Sequence, residues 1–313
     1  MSRARRFLLL PLLIFCLAFS GCVHVDWRRS VMPIISSGFS NISARQQRRA
    51  VFSWHEEAME KSARDTLLLV LEEAGADTLY QNLYNVAAEQ TDPFLADMAA
   101  NGITVYALLG DPSWALPDGQ DAMLKEVAET IEISERTGCL SGLVLDVEPR
   151  QLEKWGDDPE RVMKAYVQNM CAAYDKAAEA GIKLVLCIPA SYDSFPHLLE
   201  TLIADGCDDV AVMNYQRGAE YGRIALEAKL AKQYGKTLIQ ISELQAPGQH
   251  GLTEEHTYYG LGSEDLLDTW ATLDLQFNNQ EIMFAYHDYE ALRTLLANET
   301  AQEKGSEAFA SGQ

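Results

Sequence analysis

The sequence predicts an α/β fold, a single (β/α)8 barrel of the TIM type. Eight short runs rich in Val, Ile, Leu and Tyr recur between residues 50 and 287, amphipathic stretches separate them, and polar residues gather at the carboxyl ends of nearly all eight. Closing such a series into a ring leaves no unpaired sheet edge. The alternative is an open, doubly wound sheet. It is disfavoured because no G-x-G-x-x-G follows any of the runs.

The expected strands are AVFSW (50–54), DTLYQNL (77–83), ITVYALL (103–109), SGLVLDVE (141–148), KLVLCIPA (183–190), DVAVMNY (209–215), TLIQISE (237–243) and IMFAYH (282–287). Between them, Asp92-Pro93 and Asp158-Pro159 each predict a helix N-cap followed by a proline, whose missing N–H costs nothing in the first turn. AANGITVY, AEAGIKLV and KQYGKTLI place a glycine just past a helix, where a left-handed cap is cheap without Cβ. After Pro159, Met163, Val167, Met170, Tyr174 and Ala178 recur at helical spacing and give one apolar face to lay on the sheet.

With 313 residues and 48% hydrophobic content the chain can bury a substantial core. Its 46 Asp and Glu against 25 Lys and Arg argue against a nucleic-acid partner, which needs clustered cations. Arg3, Arg5 and Arg6 followed by FLLLPLLIFCLAF read as a secretory signal over 1–21, too short for a comfortable membrane span. FSGC then resembles the lipobox of bacterial lipoproteins, with Phe19 where that pattern usually has Leu. The resemblance implies cleavage before Cys22, lipid on its sulfur, and a membrane-anchored protein of the bacterial cell envelope. Residues 22–45 are expected as a tether, 46–298 as the barrel and 299–313 as a flexible tail. Cys139, Cys171, Cys187 and Cys207 lack CxxC or zinc spacing and read as buried thiols, so no metal site and no cofactor is expected.

In such a barrel the functional mouth lies at the carboxyl ends of the strands. The candidate lining is Trp54, Gln81, Asp111, Trp114, Tyr192, Asn214, Gln216, Glu243, Tyr286 and His287, around Asp146, Glu148 and Tyr215. Aromatic faces with carboxylates and amides suit a carbohydrate. On the fourth run Asp146 and Glu148 share a face, about 7 Å apart along the strand. Neighbouring carboxyls resist joint ionisation, which keeps one protonated as a general acid. The bland alternative is a strand-end residue paired with Arg150. The segment ISELQAPGQHGLTEEHTYYG is long for a βα connection and suggests a lid or binding wall. His287 and Asp288 suggest an acid–His pair, but no G-x-S-x-G elbow accompanies them.

These residues resemble the family 18 glycoside hydrolases, the chitinase-like barrels. That family's fourth strand ends D-G-x-D-x-D-x-E, and SGLVLDVE supplies Gly142, Asp146 and Glu148, with Ser141 and Val144 in place of two acids. Its M-x-Y-D pattern is met by Met213, Asn214 and Tyr215, with Gln216 replacing the acid. Gly110 matches in the third-strand turn, and Tyr286 stands where an aromatic is expected. The resemblance implies Glu148 as proton donor to a glycosidic oxygen, Asp146 as the neighbour that orients the reacting group, and Tyr215 as a hydrogen-bond donor to it. In that family the reacting group is the substrate's own acetamido oxygen. Two other readings stay open. Glu148 with Glu243 would form a retaining pair if their carboxyls stood about 5 to 5.5 Å apart. A barrel lacking the two family acids could bind glycans without cutting them.

Overall fold

The structure, a computed structural model, describes residues 47–311, with side chains through Gln302. The expected signal, the tether to residue 45 and Cys22 lie outside the described residues. Eight parallel strands close into a barrel in chain order. They are β1 (Arg49–Ser53), β2 (Thr78–Asn82), β3 (Thr104–Leu109), β4 (Leu140–Asp146), β5 (Lys183–Pro189), β6 (Asp209–Met213), β7 (Thr237–Glu243) and β8 (Ile282–His287). Each expected run overlaps one of them; six contain theirs whole, while β1 and β4 begin one residue before their runs, at Arg49 and Leu140. Their unbroken apolar character follows from burial on both faces, inside the ring and beneath the helices.

The outer layer comprises α1 (Arg64–Ala74), α2 (Ala88–Ala100), α3 (Gln120–Thr137), α4 (Glu153–Asp157), α5 (Pro159–Glu179), α6 (Pro196–Asp205), α7 (Glu220–Arg223), α8 (Ala225–Tyr234), α9 (Ser263–Gln276) and α10 (Tyr289–Ser311). Asp158 caps α5 as expected, its Oδ1 accepting from Arg161 N at 3.1 Å. Asp92-Pro93 does not start a helix. Pro93 lies inside α2, and Asp92 instead forms a two-pronged ion pair with Arg136 of α3, at 2.8 and 3.0 Å. The apolar face of α5 ends on buried Ala177 rather than Ala178. Helix α10 continues to Ser311 through the residues expected as a tail.

Two apolar clusters result, one between strands and helices and a smaller one inside the ring. At the top of β3, Gly110 passes so close to β4 that a Cβ there would sit 2.1 Å from the Asp146 carbonyl oxygen. The glycine lets the third turn press against the end of β4 and fixes where Asp146 stands. No described helix is long and apolar enough to cross a membrane. Cys139, Cys171, Cys187 and Cys207 are free thiols.

Candidate functional site at the barrel mouth

Side-chain alternation decides which residues reach the mouth. Phe52, Tyr80, Leu108, Val144, Cys187, Ile241 and Ala285 pack inside the ring. Residues of the same parity at the strand ends, Trp54, Asn82, Asp146, Tyr215, Glu243 and His287, therefore face the axis. Tyr106, Tyr80 and Phe52 below them join His287 and Tyr215 in a run of ring contacts, with successive centroids 5.6, 4.9, 5.8 and 6.1 Å apart. This run gives the mouth a solid aromatic floor.

Opposite strand parity removes three expected contacts, and burial in the turn after β3 removes a fourth. Tyr286 is buried on the helix side, 4.6 Å from the Trp270 ring, with its hydroxyl donating to Ala74 O. Gln81 is fully buried and donates to the carbonyls of His55 and Asn82. Asn214 donates to Glu220 O and to Gln240 Oε1. Trp114 is buried in the outer cluster, beneath a turn whose carbonyls accept from Asn169. Of three others, two keep structural roles. Asp111 is exposed but caps its own turn by accepting from Ser113 N at 2.8 Å. Tyr192 is fully buried between Trp155 and Tyr166. Gln216 stays half-buried at the rim.

Asp146 ends β4, in register with Cys187 of β5. Its Oδ1 is buried and accepts no hydrogen bond from the protein. Burial first, and then the negative charge of Glu148, push its carboxyl up to about 7, against the opposing influence of His287 and the Cys187 thiol. Glu148 stands two residues further on, half-buried, with Oε1 accepting from Gln151 Nε2 at 2.7 Å. No ion pair holds it among the described residues. Arg150 lies instead over the Trp155 ring, at 5.7 Å. The Tyr215 hydroxyl is pushed well above its ordinary range by burial and then by Glu243, with Asp146 and Glu148 adding to it. It therefore stays protonated and can donate.

A second group backs this one, and the sequence assigned its members differently. The Trp54 indole N–H, which can only donate, meets His287 Nε2 at 3.1 Å. Nε2 must then accept, so Nδ1 carries the proton that meets Glu243 Oε2 at 2.9 Å. The other oxygen of Glu243 accepts from Leu244 N and Gln245 N, at 2.9 and 2.8 Å. Burial disfavours a charged His287, yet the bond and charge of Glu243 outweigh it and raise its pKa. The Trp54 N–H acts in the opposite sense. His287 thus pairs with Glu243, not with Asp288, which accepts from Gln245 Nε2 and caps α10 through Ala291 N.

The Glu243 side chain is 2% exposed. With three donors already on it, Glu243 orients His287 and the loop after β7, and it presents no open carboxylate to act as a nucleophile. Glu243→Gln puts an amide N–H2 against one of those donors. It is expected to lower stability in urea unfolding by about 1–2 kcal/mol, the cost of a buried mismatched hydrogen bond. An unchanged midpoint would contradict this role.

Among the described residues no group of three or more His, Cys, Asp or Glu is arranged to hold a metal ion. The segment after β7 is a fixed wall. Thr257 Oγ1 donates to the carbonyls of Glu243 and Gln245, Tyr258 Oη donates to Glu220 Oε1, and Arg217 donates to Glu254 O.

No protein-family model matches the sequence, and no curated protein matches it either. Solved structures do. A β-glucuronidase from Bacteroides uniformis superposes with a TM-score of 0.56 at 14% identity, over 77% of this chain and 30% of that one. A GH18 chitinase from Pseudoalteromonas aurantia gives 0.53 at 9% identity, over 80% and 99% of the two chains. A chitinase from Chromobacterium violaceum gives 0.50 at 11% identity, over 80% and 98%. At such identities the common property is architecture: this chain has the (β/α)8 barrel fold that these glycoside hydrolases also have.

Proposed function

We propose that the chain is a glycosidase in which Glu148 protonates the oxygen of a glycosidic bond. The observation that carries this reading is the grouping of Asp146, Glu148 and Tyr215 at the ends of β4 and β6, with a proton retained by Asp146 up to about pH 7. Asp146 holds a proton up to about pH 7 beside Glu148, and that proton, passed to Glu148 within the pair, is the one given to the leaving oxygen. As the bond from the anomeric carbon to that oxygen breaks, an acetamido oxygen of the same sugar closes on the carbon. Asp146 and the Tyr215 hydroxyl steady that group, as the family resemblance implies. Water then restores the free sugar and returns the proton to the pair. Incubation with a panel of N-acetylated and non-acetylated oligosaccharides should release new reducing ends from acetamido sugars. No release from any acetamido substrate would overturn the reading.

A second reading has its own observation. The inward positions below Asp146 are Gly142 and Val144, so no carboxyl stands deeper in β4 to exchange a proton with it. A barrel that binds glycan without cutting it fits this. Saturable binding across the panel with no new reducing ends would decide for it.

The N-terminal signal and Cys22 support, from sequence alone, export to a bacterial cell envelope with a lipid anchor. Labelled palmitate should enter the protein in a bacterial host and be lost in Cys22→Ala. Equal labelling of both would contradict the anchor.

A further inference from the structure

We infer that a second carbohydrate cavity lies beside the mouth, between the segment after β7 and the first turns of α10, and that it holds uncharged sugar residues of a glycan chain. The cavity measures about 580 Å3, within the size range of small-ligand sites. It begins where the inner network ends. His55, Gln245 and Asp288 line it, and they follow, by one or two residues, the Trp54, Glu243 and His287 of that network. The cavity therefore adjoins the rim at β7, β8 and β1.

Its lining selects by charge. Among the described residues no Lys or Arg lines the cavity, so an anion there would meet carboxylates and no lining cation. The carboxylates are also already engaged. Asp288 accepts from Gln245 and Ala291, Glu299 from the backbone and hydroxyl of Ser263, and Glu290 is paired with Arg293 at 2.6 Å.

What remains open for a ligand is neutral. Gln249, Asn298 and Gln302 line the cavity, and no side-chain hydrogen bond engages their amides among the described residues. An amide both donates and accepts, as a sugar hydroxyl does. Tyr259 lines the same cavity with 55% of its surface exposed, and Leu261 with 41%. An aromatic face left in water beside unengaged amides matches the two sides of a pyranose ring. The wall carrying Tyr259 is pinned by the Thr257 and Tyr258 bonds, so little ordering opposes binding. The choice of a sugar as ligand rests on the carbohydrate reading of the mouth; the exclusion of anions does not.

The test is calorimetric titration of the full chain carrying Glu148→Gln, to suppress turnover. Probes are chitohexaose, cellohexaose, maltohexaose and hexagalacturonate. At least one of the uncharged hexasaccharides is expected to bind, and Tyr259→Ala or Asn298→Ala in the same background should weaken it on the order of tenfold. Hexagalacturonate should not bind. Tyr259 is mostly exposed, so its loss leaves the core intact, and circular dichroism confirms the fold of each variant. No binding of any uncharged hexasaccharide, wild-type affinity in both variants, or equal affinity for hexagalacturonate would each overturn the cavity. Failure of the glycosidase reading shows differently: tight, Tyr259-dependent binding with no reducing ends released by the unmutated protein.

Discussion

Replacing Glu148 by Gln is expected to lower turnover of a responsive glycan by roughly 10²–10⁴-fold, the usual contribution of a positioned general acid. The fold and the affinity for glycan should persist. The side chain is half-buried, bonded only to Gln151 Nε2 and engaged in no ion pair among the described residues. Gln keeps an oxygen for the Gln151 contact, so the substitution removes a transferable proton and little else. The effect should therefore fall on kcat and on kcat/KM alike, the pattern of an interaction made only in the transition state. A substrate whose leaving group needs no protonation, such as an activated aryl glycoside, should lose far less. Wild-type turnover of the natural glycan by Glu148→Gln would show that the proton comes from elsewhere.

Replacing Asp146 by Asn is expected to stabilise the protein above neutral pH, by about 2 kcal/mol at pH 8, while reducing activity. The sign follows from linkage. In the unfolded chain an Asp carboxyl titrates near 3.9, whereas in the fold burial and the Glu148 charge push Asp146 up to about 7. Between these values the folded state holds a proton that the unfolded state has lost, so stability falls as pH rises through that window. The full stability is present below about pH 4 and the loss is complete above about pH 7. Asn cannot ionise and escapes the penalty, while near pH 4 the two proteins should unfold alike. The figure is discounted because Asp146 is partly open to solvent at the mouth. Glu227, fully buried in α8 and also pushed up to about 7 chiefly by burial, adds a similar slope to both proteins and cancels in the difference. Urea unfolding of both at pH 4, 6 and 8 reads it directly. A Asp146→Asn protein less stable than the parent at pH 8 would show that the carboxylate is favoured where it stands.

The strands were legible because apolar runs, β-branched residues and the glycines before them recur with a period no helix bundle shows. What the runs conceal is facing. Where both faces of a strand are buried the apolar pattern does not alternate, so Gln81, Asn214 and Tyr286 looked as suited to the mouth as their neighbours Asn82, Tyr215 and His287. Extending the parity of Asp146 along β4, and then across the register to Cys187, separates them, but the register is a property of the closed ring. The Glu243–His287 pair was hidden for a similar reason. The two residues are 44 apart in sequence and meet because β7 and β8 pair with Glu243 opposite His287. Asp288, adjacent in sequence, was the visible partner and turned outward to cap α10. Asp92-Pro93 carried a good local start signal that Arg136 overrode from the next helix. Asp146 and Glu148 needed no such information, since their spacing of two on one strand already places them on one face.

That pair can be interrogated directly through the carboxyl carbon of Asp146, followed by NMR in protein labelled at aspartate and assigned with Asp146→Asn. Its midpoint is expected near 7, falling in Glu148→Gln because the neighbouring charge is gone while the burial remains. A midpoint near 4, unmoved by Glu148→Gln, would contradict a shared proton at the mouth of this barrel.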